Sequence, residues 1–297
     1  MSESLLSAAF LIQILRISIP YALPAMGATI SERGGVVNIA LEGTLLISAF
    51  FTTLGTFYTQ SPLFGILCGI VAGVVVSLLH CFITVYIRAD QIVSGIGINL
   101  LALGLTKFLC QIIFNSSSNS ARIVGIESWH LDDLSRFISN PFIPGTVLVL
   151  LCVHFVVYKT RLGLRLRAVG ENPAAADTLG ISVAKIRSIA LLFCGALTGL
   201  GGAWLALDQH SFTDGMSAGR GFIALAAMII GRWTPAGAVL AAILFGFSES
   251  LSIRLQGSFG GVQFFQIFPY ILTMIVLSGF IKKAVPPAAD GIAYEKE

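Results

Sequence analysis

Long apolar runs, each close to the length needed to cross a bilayer, are separated by short polar segments along most of the chain. The uninterrupted runs cover about residues 4–19, 62–87, 91–114, 141–158, 188–207 and 264–281. A transmembrane β-barrel would alternate apolar and polar residues instead, and these runs do not alternate. The pattern therefore predicts an all-α, polytopic bundle of about 8–10 membrane-spanning helices.

Two further apolar stretches are interrupted by glycine, proline and charged residues. Each consists of a short apolar helix, a break and a longer helix. In the first stretch these cover about residues 20–30, 31–38 and 39–58. In the second they cover about residues 221–230, 231–237 and 238–251. We call Ser31–Asn38 break 1 and Gly231–Gly237 break 2. Non-helical backbone at membrane depth is tolerated only inside protein or beside water. The breaks therefore predict either two broken helices along a transport path or plain cytoplasmic turns, and their common order indicates a weak internal duplication.

A charged island, residues 159–187, lies between two apolar runs. It holds six of the chain's 18 lysines and arginines but only two acids. A short basic loop between two spans is typical of the cytoplasmic side. Within it, Asn172 can cap a helix that Pro173 begins and Gly180 ends. We expect a helix of about two turns outside the membrane, which is either a docking site for a partner or part of an ordinary connecting loop.

Small residues and the segments between spans complete the organisation. The stripes Gly65–Gly69–Gly73 and Gly195–Gly199 predict close helix packing. Residues 115–140 predict an external loop with a short amphipathic helix carrying Trp129 and Phe137. Lys107 is expected to snorkel to an interface. Glu249, an ionisable residue inside a span, either belongs to the pathway or has a structural partner, and Arg254 lies five positions on. Residues 1–285 form one membrane domain, followed by a mobile cytoplasmic tail, residues 286–297.

Composition excludes several classes of protein. The 297 residues are 56% hydrophobic and only 11% charged, and most of the net charge of +3 lies in the island, where it indicates orientation rather than nucleic-acid binding. The sequence contains no P-loop, and its four histidines have no carboxylates at metal-ligand spacing. We therefore expect no catalytic residue, no metal site and no cofactor on this chain.

Two ordered motifs resemble those of a known family. SERGGVVNIALEG (Ser31–Gly43) is similar to the signature SERAGVVNIGLEG of inner-membrane permeases of ABC importers, and its departures are exchanges between glycine and alanine. GLRLRAVGENPAAADTLGIS (Gly163–Ser182) resembles that family's cytoplasmic loop with its coupling helix. The resemblance covers about residues 20–255. It points to the nucleoside and simple-sugar branch of the branched-chain amino acid/ribose-type permeases.

The resemblance implies a translocation subunit of an ATP-driven importer in a bacterial inner membrane. Lys282 and Lys283, just after the last predicted span, indicate a cytoplasmic C-terminus. The implied partners are an ABC ATPase that binds ATP and magnesium, a second permease in a homo- or heterodimer, and an external binding protein or lipoprotein. The expected ATPase-coupling residues are Arg165, Arg167, Glu171, Asn172, Pro173, Ala174, Ala175 and Asp177. The expected substrate-pathway residues are Asn38, Glu42, Ser94 and Asn99, although polar residues in spans also form interhelical hydrogen bonds.

Two questions remain open from the residues alone. Asn172-Pro173-Ala174 matches the NPA triplet of aquaporins, so a passive channel or facilitator is the alternative function. Its single occurrence in a charged setting favours a helix cap over a pore. A nucleoside would need aromatic stacking, and Trp204, Phe212 and Phe222 are candidates that could equally serve packing.

Overall fold

The computed structural model describes residues 8–126, 140–256, 271 and 285–295, and these form a bundle of helices. The helices are α1 (Ala8–Arg33), α2 (Leu41–Thr59), α3 (Pro62–Cys81, extended by a π-helical turn Phe82–Tyr86), α4 (Gln91–Phe114), α5 (Phe142–Lys159), α6 (Arg161–Glu171), α7 (Pro173–Thr178), α8 (Val183–Gln209), α9 (Arg220–Ile230) and α10 (Pro235–Gln256). Six helices in this part of the chain are long and apolar enough to cross a membrane: α1, extended α3, α4, α5, α8 and α10. The all-α polytopic prediction is confirmed. Most of the predicted span 264–281, and the expected helix around Trp129 and Phe137, lie outside the described residues.

The first two predicted segments are a single helix. Residues 4–19 and 20–30 were expected to be separate, but α1 runs for 26 residues with Pro20 and Pro24 inside it. Both prolines are buried, and a Cβ at Gly201 of α8 would lie 3.2 Å from the Pro24 ring. Transmembrane helices accept proline because neighbouring helices compensate for the lost backbone hydrogen bond. The prediction of a division near residue 20 was therefore wrong.

The glycine stripes bring α3 and α8 into backbone contact, as predicted. A Cβ at Gly195 would lie 2.5 Å from the carbonyl oxygen of Gly73, and a Cβ at Gly199 would lie 2.7 Å from that of Gly69. Such distances are too short for any larger residue, so the two helices approach as closely as their backbones allow.

The centre of the bundle is formed by α1 and α8. Buried side chains of α1, including Leu23 and Met26, belong to one apolar cluster with Met228 of α9 and Phe245 of α10. By contrast, α4 and α5 leave most of their residues outside the core. Their exposed surfaces are rich in leucine and valine and suit contact with lipid or another membrane protein.

Candidate functional site: two helix breaks and a docking helix

Break 1 is a buried segment held by side chains. The backbone leaves the helix after Arg33 and re-enters it at Leu41, and Val36 and Asn38 are at most 1% exposed. Ser31 Oγ donates to the Val36 carbonyl at 2.7 Å, and Gln91 Oε1 accepts from the Val37 amide at 2.7 Å. Because these groups replace regular helix hydrogen bonds, non-helical backbone is tolerated inside the protein here.

Three of the four predicted pathway residues gather around this segment. Asn99 donates from Nδ2 to the Ile39 carbonyl at 3.0 Å and accepts the Gly43 amide at 2.8 Å. Asn38 Oδ1 accepts the Ala40 amide at 3.0 Å. Ser94 Oγ lies 2.9 Å from His80 Nδ1, while the other ring nitrogen of His80 lies 3.2 Å from the Val37 carbonyl. In this conformation Ser94 and Asn99 form hydrogen bonds between helices or to the break, whereas the bond between Asn38 and Ala40 is local. Their role in a substrate path stays a prediction.

Glu42 joins α2 to the start of α9. Its two carboxylate oxygens accept the amides of Gly219 and Gly221, each at 2.7 Å. A carboxylate is stabilised at a helix N-terminus by the unpaired amides and the helix dipole. With 11 residues, α9 is about 16 Å long and cannot cross a bilayer core of about 30 Å alone. If the end of α9 at break 2 lies near the membrane surface, Glu42 lies near the middle of the membrane.

Beside Glu42 lies an ionic cluster, Tyr21–Arg220–Glu249, that joins α1, α9 and α10. Arg220 Nη2 lies 3.3 Å from Glu249 Oε1, and the Tyr21 hydroxyl donates to Glu249 Oε2. The sequence left open a pathway role or a structural partner for Glu249, and Arg220 and Tyr21 are the partners in this structure. The nearby Arg254 instead lies 5.2 Å from the ring centre of Phe10.

The two breaks meet at one end of the bundle. Trp233 Nε1 donates to Glu32 Oε2 at 2.6 Å, and Arg33 Nε donates to the Trp233 carbonyl at 2.8 Å. Arg232 and Trp233 adopt φ values of 56° and 53°, which are uncommon for residues other than glycine. A cleft of about 780 Å³ lies beside them. The sequence placed both breaks on one side, but the tryptophan that links them was missed.

The helix predicted within the island is present as α7, with its predicted boundaries. Asn172 Oδ1 accepts the Ala175 amide at 3.0 Å, Pro173 is the first residue of α7, and Gly180 has φ +79° after its end. These features confirm the local interpretation of the NPA triplet as a helix cap. The NPA triplet also lies in an exposed position outside the core, whereas a pore-forming half-helix lies inside the bundle.

One face of α7 is open. Ala174 and Ala175 are exposed, and Leu179 just beyond the helix is 81% exposed. The exposure of Leu179 could not be predicted, because a lone leucine in a sequence cannot be distinguished from a core residue. Of the predicted basic contacts, Arg165 is exposed, whereas the guanidinium of Arg167 lies 5.4 Å from the ring centre of Tyr158.

The C-terminal residues contact α7 and the end of α6 on the side away from the open face. Glu171 Oε2 accepts the Ala288 amide at 3.3 Å, and the Tyr294 hydroxyl donates to Asp177 Oδ2 at 3.2 Å. The sequence predicts a mobile cytoplasmic tail over residues 286–297; in this structure residues 285–295 lie against the island. Proline and small residues in this segment suggested mobility, but contacts with distant residues hold it.

The three candidate stacking residues differ in environment. Trp204 and Phe212 are buried, and Phe212 packs edge-on against Phe50 with ring centres 5.2 Å apart. Phe222 on α9 is exposed. Lys107 lies 3.4 Å from Asp214 in an exposed ion pair. The buried aromatic rings therefore serve packing in this conformation, and Phe222 alone of the three is accessible.

Comparison with known proteins agrees with this architecture. Residues 10–277 match the family described as branched-chain amino acid transport system / permease component. The chain is 42% identical to the nucleoside ABC transporter permease protein NupC of Lactococcus lactis subsp. cremoris, over 94% of each chain. It is 40% identical to the guanosine ABC transporter permease protein NupQ of Bacillus subtilis, over 96% of this chain and 98% of that protein.

The fold is shared with a solved transporter. An inward-facing structure of a metal-chelate type ABC transporter superposes with a TM-score of 0.50 and 17% identity, over 90% of this chain and 84% of that chain. The chain is a multi-pass membrane permease of the ABC transporter class. It belongs to the family of branched-chain amino acid transport system permease components, within which it matches the nucleoside and sugar branch.

Proposed function

We propose that this chain is the translocation subunit of a bacterial inner-membrane importer for nucleosides, driven by a separate ATPase that binds ATP and magnesium. The observation that carries the proposal is the sequence identity of this chain, 42% and 40% over nearly its whole length, to permeases of nucleoside and guanosine transporters. Simple sugars are the second candidate substrates because of the wider family resemblance. The basic island supports a cytoplasmic location for α7 and for residues 285–295 beside it.

The geometry supplies a route from α7 to break 1. Helices α6 and α7 are contiguous, and α6 packs directly on the break: a Cβ at Gly170 would collide with the Arg33 carbonyl, and a Cβ at Gly34 would lie 3.0 Å from the Leu166 side chain. A rigid-body displacement of α6 and α7 by the ATPase would therefore move break 1. Ala174, Ala175 and Leu179 form the proposed contact surface, flanked by Arg165, Asn172 and Pro173.

The proposed substrate path runs past break 1 and the N-terminus of α9. Asn38, Ser94 and Asn99 hold the break in its present conformation, and Glu42 holds α9 beside it. Movement of the break would change these hydrogen bonds and expose polar groups to substrate. A second permease, identical or related, would supply the other wall of the path, and an external binding protein or lipoprotein would deliver the substrate.

Uptake by cells of the native host tests the proposal. A strain lacking this chain and its complemented strain are supplied with radiolabelled guanosine, uridine or ribose, with and without depletion of ATP. We expect complementation to restore nucleoside uptake only in energised cells. Restored ribose uptake without nucleoside uptake would favour the sugar proposal. Uptake that persists after ATP depletion would favour a passive facilitator and contradict the importer.

A further inference from the structure

Residues 285–295 form a strap, as we name this segment, across the island. At its start, the amides of Ala288 and Ala289 donate to Glu171 Oε2 at 3.3 Å and to the Gly170 carbonyl at 2.9 Å. At its end, Tyr294 donates to Asp177, and Glu295 Oε1 lies 3.1 Å from Arg88 Nη1 beyond the π-helical turn of α3. The strap therefore touches the last turn of α6, the docking helix α7 and the end of α3.

The centre of the strap reaches the start of α8. Arg187, buried at the island, donates from Nη1 to the Ile292 carbonyl at 2.9 Å and from Nη2 to the Ala289 carbonyl at 3.5 Å. A guanidinium that binds two carbonyls of one segment fixes that segment in position and direction. Ala289 is itself buried, and Tyr294 packs against the main apolar cluster of the bundle. Apolar burial therefore adds to the polar contacts.

The strap also touches the point where the two breaks meet. In break 1, a Cβ at Gly35 would lie 3.1 Å from the carbonyl oxygen of Ala289 in the strap, and the carboxyl group of Asp290 lies near that of Glu32. Glu32 in turn accepts the indole N–H of Trp233 in break 2. Residues that are distant in sequence, in α7, α8 and both breaks, are therefore joined through one short segment.

We propose that the strap positions α7 for the ATPase and transmits its displacement to the breaks, with Tyr294 as the positioning residue at the α7 end. This inference rests on the proposed function. Without the strap, α7 is held by its junction with α6 and by contact with the start of α8, where Ala176 shares a buried cluster with Val183. With it, Asp177 at the far end of α7 is held as well, so α7 moves together with α6 and break 1 as one body.

The test uses the complex of this chain with its co-purifying ATPase, reconstituted into vesicles with the external binding protein. The perturbation is Tyr294→Ala, and the control is Tyr58→Ala, which removes a 68% exposed tyrosine remote from the island. The measured quantity is the number of ATP molecules hydrolysed per nucleoside transported. We expect Tyr294→Ala to raise this ratio about tenfold, the scale of losing one hydrogen bond to a charged group. The control should leave it unchanged.

A second measurement locates the strap independently of transport. The double variant Tyr294→Cys/Asp177→Cys should be joined by a short bis-maleimide in native membranes, as detected by mass spectrometry. Absence of that cross-link, or an unchanged ratio in Tyr294→Ala, would overturn the strap's role even if wild-type uptake is normal. Absence of nucleoside uptake by the wild type would instead overturn the proposed function, and the coupling role with it, while the cross-link would still show where the strap lies.

Discussion

Substitution of Glu42 tests whether its carboxylate stabilises the fold or only contacts substrate. Glu42→Ala removes the acceptor of two backbone N–H groups, those of Gly219 and Gly221, at the start of α9. Each unsatisfied N–H in a buried setting costs about 1–3 kcal/mol, so the variant should lose about 2–6 kcal/mol of stability. Glu42→Gln keeps one acceptor oxygen and should lose less than Glu42→Ala.

The assay is equilibrium unfolding in a mild detergent, paired with nucleoside uptake. Asp208→Ala is the control because Asp208 pairs with Arg16 at 2.5 Å with both side chains substantially exposed. Such a pair contributes about 0–1 kcal/mol. If Glu42→Ala unfolds like Asp208→Ala yet abolishes uptake, the capping argument is refuted and Glu42 acts directly on the substrate.

Three further predictions use matched controls. Gly195→Ala should destabilise the α3–α8 contact by about 1–3 kcal/mol through overpacking. The control Gly104→Ala should not, because there is open space around Gly104. Equal melting temperatures of the two variants would contradict the close packing. Trp233→Phe should cost more stability than Trp204→Phe, because the Trp233 variant leaves the buried Glu32 carboxyl without its indole donor at 2.6 Å. An equal loss of stability in the two variants would contradict a role for the Trp233–Glu32 hydrogen bond. Burial raises the pKa of Asp290 from 3.8 to about 6, against the opposing effects of Glu32 and Arg187. The docked strap favours protonated Asp290. Its docking should therefore weaken by about 1.4 kcal/mol per pH unit as the pH rises from about 4 to about 6, and stay level above that. Limited proteolysis of the C-terminus measures this, and the effect should vanish in Asp290→Asn.

Features set by neighbouring residues were predictable from sequence. Asn172, Pro173 and Gly180 fix the start and end of α7 through local backbone chemistry, which is independent of the rest of the fold. The spacing of Gly69 and Gly73 likewise places them on one helix face before any partner is known.

Features set by distant contacts were not predictable. Trp233 and Glu32 are 201 residues apart, and nothing in either local sequence selects the other. The same reason hid the strap, whose backbone is held by Arg187 and Gly170. Pro20 and Pro24 led to the wrong prediction of a division near residue 20. The helix-breaking tendency of proline depends on what surrounds the helix, and here both prolines are enclosed by protein.

The most direct measurement of the central claim is nucleoside uptake by Ala175→Trp, compared with Ala175→Ser. Ala175 is exposed on the open face of α7, so neither substitution should affect insertion into the membrane. The account predicts that the tryptophan variant reaches wild-type membrane levels, hydrolyses ATP with its partner and fails to accumulate nucleoside, while the serine variant transports normally. Normal uptake by Ala175→Trp would contradict coupling through α7.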